Sequence, residues 1–408
     1  MTPRLGIRPN LTQFGFLIAI NALVGGMVGQ ERTVLPLLAE ETFGLTGYTV
    51  ALTFIVAFGV VKAVTNLAAG TLADRYGRKP VLVAGWLIGL PVPLLIIWAP
   101  SWEWMIAANI LLGINQGLTW STTVIMKLDL AGPRQRGLAV GLNEAAGYIA
   151  LSLTAFATGY IAANYGLRPE PFYIGIACAA LGIGLSSLAV RETRGHVSHE
   201  ASETNHSAST TSTSEVFAET TLRNPSLSAV SQAGLVNNLN DGMAWGLLPI
   251  YYSAAGLTVS QIGILAALYP GVWGVGQLLT GPWSDRIGRK KLIVAGLVIQ
   301  ATGIALIALT TTFSTWVVAA VTLGAGTALV YPTLLAAVGD HSHPVWRATS
   351  LGVYRFWRDT GFAVGAIVTG IVADLTNPRG AIWLVAGITA FSAVVVAKRM
   401  TENRTSPD

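Results

Sequence analysis

Long apolar runs alternate with short polar segments along the whole chain. A helix needs about 20 mostly apolar residues to cross the hydrocarbon of a bilayer, and twelve runs approach that length. In the first half they cover 14–38, 48–72, 80–98, 102–126, 137–163 and 170–190, and in the second half 228–252, 259–283, 291–310, 313–338, 348–373 and 379–398. The pattern therefore predicts an all-α membrane protein with twelve transmembrane helices.

One longer polar segment divides these runs into two sets of six. It is rich in Ser, Thr, Glu and His, a composition that buries too little apolar surface to fold by itself. We predict three parts: an N-terminal six-helix bundle at 1–190, a flexible cytoplasmic linker at 191–225, and a C-terminal six-helix bundle with a short tail at 226–408. The linker histidines His196, His199 and His206 lack the compact spacing of metal ligands, so neither a metal nor a cofactor is expected.

Composition and charge exclude a soluble protein and set the expected topology. The 408 residues are 52% hydrophobic and only 11% charged, which is too apolar for a single soluble core. Basic residues concentrate in the loops on one side of the predicted spans, and such loops stay in the cytoplasm. We therefore expect a multi-pass protein of the plasma (inner) membrane, with both termini and the linker cytoplasmic. The net charge of +5 is then a topology signal rather than a sign of nucleic-acid binding.

A ten-residue cassette occurs twice, 211 positions apart. The copies are Gly70-Thr-Leu-Ala-Asp74-Arg75-Tyr-Gly77-Arg78-Lys79 and Gly281-Pro-Trp-Ser-Asp285-Arg286-Ile-Gly288-Arg289-Lys290. The register continues, since Trp120 falls on Tyr331, Asp129 on Asp340 and Glu144 on Arg355. We therefore predict two pseudo-symmetric bundles, as in many secondary transporters, with the solute held between them near mid-membrane.

The cassette, placed between the second and third spans and again between the eighth and ninth, resembles the loop signature of the major facilitator superfamily. This resemblance covers essentially the whole chain and implies the major facilitator fold. It also implies that the cassettes latch the halves together in one state, through Gly70, Asp74, Arg75, Gly77, Arg78, Lys79, Gly281, Asp285, Arg286, Gly288, Arg289 and Lys290. The alternative is that these basic loops only orient membrane insertion.

The chain is most similar to the proton-coupled efflux branches of that superfamily, with two departures. Gly113 stands where the fourth helix of drug antiporters usually has an Arg. The fifth span has Gly141-Leu-Asn-Glu144 and lacks the usual Gly-Pro. Both departures count against a standard drug/proton antiporter.

Eight ionisable residues fall inside the predicted spans, where each costs about 2.5 to 3.5 kcal/mol on insertion scales and by default marks a pathway or a paired site. They are Glu31, Arg32, Lys62, Glu144, Asp241, Arg355, Arg358 and Asp359. A spacing of four predicts a pair between Arg355 and Asp359, and Lys62 is a plausible partner for Glu31. Because Glu144 and Arg355 are equivalent under the repeat, we predict that they join a charge network between the halves.

Polar and aromatic residues near these charges complete the predicted pathway. Asn237, Asn240 and Asp241 share one face of the seventh span and are expected to line the pathway, and Asn143 is assigned to it beside Glu144. The candidate cavity aromatics are Trp120, Tyr148, Trp245 and Tyr331. Each of these aromatics can also be a packing residue.

We interpret the chain as a secondary active transporter that moves a small organic or anionic solute by alternating access, and we expect proton-coupled efflux with the carboxylates inside the spans as proton carriers. The alternatives are nutrient or metabolite uptake, by symport or facilitated diffusion, and a non-transporting receptor or scaffold. The sequence has no phosphate-binding Gly-rich loop of the Gly-x-x-x-x-Gly-Lys type and no nucleophile beside a histidine, so no enzymatic activity is expected. The expected partners are a small molecule, protons and the bilayer, and the expected state is a monomer.

Overall fold

The computed structural model describes residues 5–132, 135–196, 212–343 and 346–402. Within these ranges it is built of helices and contains no strand. The long helices of the first half are α1 (Leu11–Arg32), α2 (Thr53–Tyr76), α3 (Arg78–Gly89, continued by Pro91–Ile97), α4 (Trp102–Ala131), α5 (Arg136–Tyr165) and α6 (Tyr173–Gly184, continued by Leu185–Ala189). Those of the second half are α7 (Pro225–Ala254), α8 (Val259–Ile287), α9 (Arg289–Leu309), α10 (Phe313–His341), α11 (Arg347–Leu375) and α12 (Pro378–Arg399).

Short helices complete the connections. They are Leu35–Glu41 and Tyr48–Ala51 between α1 and α2, Glu170–Phe172 before α6, and Thr213–Ala218 with Glu219–Arg223 before α7.

Nine helices in the described part of the chain are long and apolar enough to cross a membrane. The other three long helices are α4, α7 and α11, which have 29 or 30 residues. Polar side chains such as Gln116, Asn238 and Arg358 lower their hydropathy, and all three of these side chains are buried. These three helices therefore contribute polar side chains to the interior of the bundle. The predicted all-α membrane fold is confirmed, with helix ends that differ from the prediction by a few residues.

Two glycines make the sharp turns of the cassettes. Gly77 joins α2 to α3 with φ +104°, and Gly288 joins α8 to α9 with φ +105°. A side chain is strained in this conformation, whereas glycine adopts it freely, so glycine suits the tight turn at both positions. The end of the bundle that contains these turns is named the cassette end below, and the other is named the opposite end.

The two halves meet where α5 packs on α8 and α2 packs on α11. Toward the opposite end, Gly159 of α5 meets Gly263 of α8 so closely that a Cβ on Gly159 would lie 2.7 Å from the Gly263 Cα. Two turns along α5, the Ser152 hydroxyl donates to the carbonyl oxygen of Ala267 at 2.7 Å. Small residues therefore allow the helix backbones of the two halves to touch here.

Asp374 adds polar contacts between the halves at the opposite end. Its carboxylate, in the last turn of α11, accepts hydrogen bonds from the backbone N–H groups of Tyr48 (2.7 Å) and Thr49 (2.9 Å). It also accepts one from the Thr49 hydroxyl at 2.6 Å. The opposite end is thus closed by both packing and hydrogen bonds.

The same helix faces separate toward the cassette end. Gly141 lies 18 residues, or five helical turns, before Gly159 on α5, and Gly352 lies 18 residues before Gly370 on α11. A Cβ on Gly370 would lie 2.8 Å from the Thr49 Cα, whereas a Cβ on Gly141 or Gly352 would have no described neighbouring atom within 4 Å. The halves are therefore in contact at the opposite end and apart at the cassette end.

Both ends of the predicted flexible linker are ordered within the described residues, which corrects that prediction. A capping box starts the helix Thr213–Ala218, and the Thr220 hydroxyl lies 2.9 Å from that of Ser350 on α11. The segment-wide composition conceals this local cap and this tertiary contact, which together order a short stretch. The middle of the linker, 197–211, lies outside the described residues, as do His199 and His206.

Candidate transport site

A small cavity lies between the halves, with about 260 Å³ of non-protein space in and around it that includes open solvent. The first half contributes Lys62 and Asn66 from α2, Trp120 and Ser121 from α4, and Glu144 and Tyr148 from α5. The second half contributes Tyr331 from α10 and Arg355 and Arg358 from α11. This central cavity brings together most of the ionisable and aromatic residues that the sequence singles out.

Glu144 is held by neutral donors from both halves. Its Oε1 accepts from the Trp120 indole N–H (2.9 Å) and the Asn143 amide (3.2 Å), and its Oε2 accepts from the Tyr331 hydroxyl (3.0 Å). Trp120 and Tyr331 are equivalent positions of the repeat, so the same site in each half reaches one carboxylate. The predicted inter-half contact of Glu144 is therefore made by Tyr331 and not by Arg355.

The ion pair of α11 joins Arg358 to Asp359, which corrects the predicted pair between Arg355 and Asp359. The Arg358 guanidinium lies 2.8 Å from the Asp359 carboxylate and also donates to the Tyr331 hydroxyl at 2.7 Å. Helical spacing places positions four apart on one face, but here the Arg355 side chain lines the cavity instead. Among the described residues, its buried Nε has no hydrogen-bond partner.

Lys62 lies among aromatic rings. The sequence suggested Glu31 as its partner, but Lys62 does not lie beside that residue. Its ammonium is 5.0 Å from the ring centre of Phe362, 5.4 Å from that of Phe58 and 5.6 Å from that of Trp120. The residue is 7% exposed and forms no ion pair within 4.0 Å in the described part of the chain. Ring faces attract a cation, and the carboxylates of Asp359 and Glu144 act on it from beyond ion-pair distance.

Glu31 and Arg32 form a second charged layer that is fully buried. The Arg32 guanidinium lies between the rings of Phe58 (4.8 Å) and Trp245 (4.9 Å). Among the described residues, neither Glu31 oxygen and none of the three Arg32 guanidinium nitrogens has a hydrogen-bond partner. Trp245 lines a separate, mainly apolar cavity inside the second half and does not line the central cavity.

The polar run of α7 makes its hydrogen bonds inside the second half, and the role of Asn237 and Asn240 in the pathway stays a prediction. Gln300 of α9 donates to Asn237 (2.8 Å) and accepts from Asn240 (2.9 Å). Asn240 also accepts from Thr389 of α12 at 2.8 Å. These contacts hold α7 against α9 and α12. Asp241, the third residue of the predicted face, differs from the two asparagines. It accepts a hydrogen bond from the Tyr269 hydroxyl of α8, and its Oδ2 has no described partner.

Lys127 is a buried cation that lies one residue beyond the predicted span 102–126. Because α4 extends to Ala131, Lys127 lies within the helix, where it is 1% exposed and donates to the Asn143 side-chain oxygen. Asn143 in turn donates to Glu144. The sequence could have indicated this burial, because Lys127 follows Trp120 by two helical turns and so lies on the same face of the helix.

In the first cassette, Arg78 joins three segments of the first half. It pairs with Asp129 of α4 (3.2 Å) and with Asp74 of α2 (2.9 Å). Glu192, which follows α6, accepts from the backbone N–H groups of Arg78 (3.1 Å) and Lys79 (3.0 Å). Partial burial raises the pKa of Glu192, but these and two further backbone donors lower it more, so the pKa lies below its ordinary value.

The second cassette repeats this arrangement. Arg289 pairs with Asp340 of α10 at 2.9 Å, and Glu402 accepts from the backbone N–H groups of Arg289 (2.7 Å) and Lys290 (3.1 Å). Glu192 and Glu402 stand 210 positions apart, so a repeat search that tolerates one gap would have found them.

The hydrogen bonds and ion pairs described for each cassette stay within one half, so the latch between the halves remains a prediction. Arg75 and Arg286 are exposed at the cassette end. The side chain of Asp285 and the surroundings of Gly281 lie outside the described part of the structure.

Known proteins resemble the whole chain. The family model of the Major Facilitator Superfamily matches residues 14–231 and 230–408. The multidrug resistance protein MdtG of Salmonella arizonae and that of Salmonella typhi are each 26% identical to the chain, in alignments 387 positions long that cover 91% of this chain and 91% of each relative. Crystal structures of the nucleoside transporter NupG, one of them a mutant, have TM-scores of 0.77 and 0.75 at 16% identity, and they cover 95% and 94% of this chain and 100% and 98% of their own.

The family match spans both halves, and the NupG structures share the fold over nearly the whole chain. The resemblance read from the cassettes is thereby confirmed, and the relatives are transporters rather than enzymes. This chain belongs to the major facilitator superfamily of membrane transporters.

Proposed function

We propose that this transporter is a secondary active transporter that exports a small organic or anionic solute in exchange for protons, by alternating access. The observation that carries the proposal is the central cavity, in which charged groups of both halves face one space. The halves touch at the opposite end and are apart at the cassette end, as expected for one of two alternating states. Buried charges are costly, and a receptor or scaffold gains nothing from keeping them.

The cassette end is proposed to face the cytoplasm. Support comes from the basic residues of the loops at that end, among them Arg75, Lys79 and Arg286. The termini and the linker would then be cytoplasmic as well, with the protein in the plasma membrane. The division into bundles at 1–190 and 226–408 is part of the same proposal.

Export is preferred to uptake on the strength of sequence similarity. MdtG, whose name marks it as a multidrug resistance protein, aligns over 91% of the chain. NupG is a nucleoside transporter, but a likeness at 16% identity speaks for the fold alone. Uptake by symport or facilitated diffusion is therefore the alternative.

Glu31 and Asp241 are the proposed proton carriers. Burying an ionised carboxylate without donors is strongly unfavourable, so such a group tends to take up a proton. Glu31 is fully buried with no described donor on either oxygen, and Asp241 has a described donor on one oxygen only. Glu144 and Asp359, by contrast, have several donors each, which suits a structural role.

Proteoliposomes test this function. Purified protein is reconstituted with a pH-sensitive dye inside, and a panel of organic anions, cations and neutral solutes is scored for solute-dependent proton movement, with Asp241→Asn for comparison. Coupled export predicts proton movement opposite to the solute, and reduced proton movement in Asp241→Asn. Proton movement in the same direction supports uptake by symport, flux without protons removes coupling, and flux of no solute in the panel contradicts a transport function.

A further inference from the structure

The charges around the central cavity are unequally compensated. Arg358 is neutralised by Asp359, which also accepts hydrogen bonds from Asn66 and Asn238. Both of these charges therefore have partners without any ligand. Setting this pair aside leaves three acidic and three basic residues of the eight predicted inside the spans.

Glu144, the acid that the first half contributes to the cavity, also has partners. Glu144 accepts three hydrogen bonds, and one of its donors, Asn143, is contacted by the buried ammonium of Lys127. Lys127 thus balances Glu144 through a bridging amide. Within the described residues, neither Glu144 nor Asp359 has an oxygen without a hydrogen-bond partner, and Asp241, whose Oδ2 has none, does not line the cavity.

Lys62 and Arg355 are the other two cations that line the cavity, one on each half. In the described part of the chain, neither forms an ion pair within 4.0 Å. Lys62 is 7% exposed among three rings, and the Arg355 Nε is buried without a hydrogen-bond partner. Burying a charge without an ion pair is expensive. Lys62 is buried and Arg355 is half-buried, neither in an ion pair within the described residues, so an anion in the space between them would be stabilised by both.

The aromatic side chains that line the rest of the cavity indicate which kind of organic group carries the anionic charge. Trp120 and Tyr148 have ring centres 5.3 Å apart, and Tyr148 and Tyr331 have ring centres 5.5 Å apart. Aromatic walls favour a flat apolar body, which they bind by stacking and by burial of apolar area.

We propose that the central cavity is selective for aromatic or amphipathic organic anions, whose oxyanion group binds between Lys62 and Arg355 and whose apolar body packs on Trp120 and Tyr148. This inference rests on the proposed transport function and narrows its solute to one charge class. An anion held by one cation from each half also gives the solute a means of drawing the halves together.

Matched ligands test the charge class without any mutation. Aryl carboxylates of one to three rings are each compared with the corresponding carboxamide and aryl methylamine, with binding to the purified full-length protein in nanodiscs measured by isothermal titration calorimetry. The inference predicts that at least one carboxylate binds at least tenfold more tightly than both its amide and its amine. Equal or tighter binding of the amides or amines, or binding of no carboxylate in the series, would overturn it.

Variants then test the two residues. Lys62→Gln and Arg355→Gln should each weaken carboxylate binding at least tenfold and leave amide binding within about twofold, while Lys62→Arg should retain most of the carboxylate affinity. Arg379→Gln, an exposed basic residue at the start of α12, is the matched control and should bind like the parent protein. Unchanged carboxylate binding in both Gln variants would overturn the assignment.

The two proposals fail separately. If neutral or cationic solutes move through proteoliposomes and carboxylates do not, the anion inference is wrong and the transport function stands. If no solute of any charge moves, the transport function itself is contradicted.

Discussion

Gly159→Ala should shift the protein toward the state that is open at the opposite end. The added Cβ would lie 2.7 Å from the Gly263 Cα and 3.1 Å from the Thr33 Cγ2. Because the first of these atoms belongs to a helix backbone, α5 and α8 must move apart to accept it. Overpacking of this kind costs about 1 to 3 kcal/mol, and the cost applies only while the opposite end is closed. The ratio of open to closed protein at that end should therefore rise about 5- to 150-fold.

Gly141→Ala is the matched control on the same helix. It makes the same chemical change five turns away, where the added Cβ meets no described atom within 4 Å. Any gain in helix propensity, up to about 1 kcal/mol, is common to both variants. If the cassette end closes in the other state, Gly141 approaches α8 there, so this variant should favour the present state or leave the balance unchanged.

Double electron–electron resonance measures the distance between the halves at each end, through pairs of spin labels in a Cys178→Ser background. The labels are placed on exposed residues of the two halves, at Asn164→Cys with Ala255→Cys for the opposite end and at Arg75→Cys with Arg286→Cys for the cassette end. Gly159→Ala should lengthen the opposite-end distances and shorten the cassette-end distances. Unchanged distances, or the same change in Gly141→Ala, would refute the reasoning.

Three further predictions concern coupling and closure. Glu31→Gln should keep solute exchange between equal pools but lose at least nine-tenths of solute-driven proton movement in dye-loaded vesicles, and loss of exchange as well would argue against a coupling role. Asp374→Ala removes three hydrogen bonds at the opposite end, worth at least about 1.5 kcal/mol together at about 0.5 kcal/mol each, so reagent labelling of Thr33→Cys, which is buried between the halves at that end, should accelerate about tenfold or more; an unchanged rate would contradict the closure described. Glu192→Gln should lower the thermal unfolding temperature at pH 7, and the difference from the parent should shrink as the pH falls through the lowered pKa of Glu192, because that carboxylate stabilises the fold only while ionised; a difference that does not depend on pH would exclude this explanation.

The sequence predicts the fold well because the bilayer imposes a simple rule. Each span must present an apolar surface of fixed length, so apolar runs mark the helices almost directly. The repeat adds long-range information, since Arg78 with Asp129 and Arg289 with Asp340 make the same contact in both halves. Three helices fall below a strict hydropathy limit, because they line the interior and are only partly covered by lipid.

The side-chain partners are much harder to predict, for a physical reason. Helical periodicity states which residues share a face, but it does not state what that face meets. Asn237 and Asn240 share a face as predicted, and that face meets Gln300 inside the second half. Arg355 and Asp359 share a face as well, yet the pair forms with the adjacent Arg358, whose long side chain can bend back. Pairing inside a bundle is decided by tertiary placement.

A reversible cross-link at the opposite end tests the central claim of alternating access most directly. The Thr49 hydroxyl lies 2.6 Å from the Asp374 carboxylate across this end, so Thr49→Cys with Asp374→Cys, in the Cys178→Ser background, can be joined while that end is closed without adding bulk. Oxidation should reduce solute exchange in proteoliposomes to less than a tenth, and a reductant should restore it, with each single-cysteine variant unaffected by either treatment. Exchange at the uncross-linked rate through fully cross-linked protein would contradict the claim that this end must open.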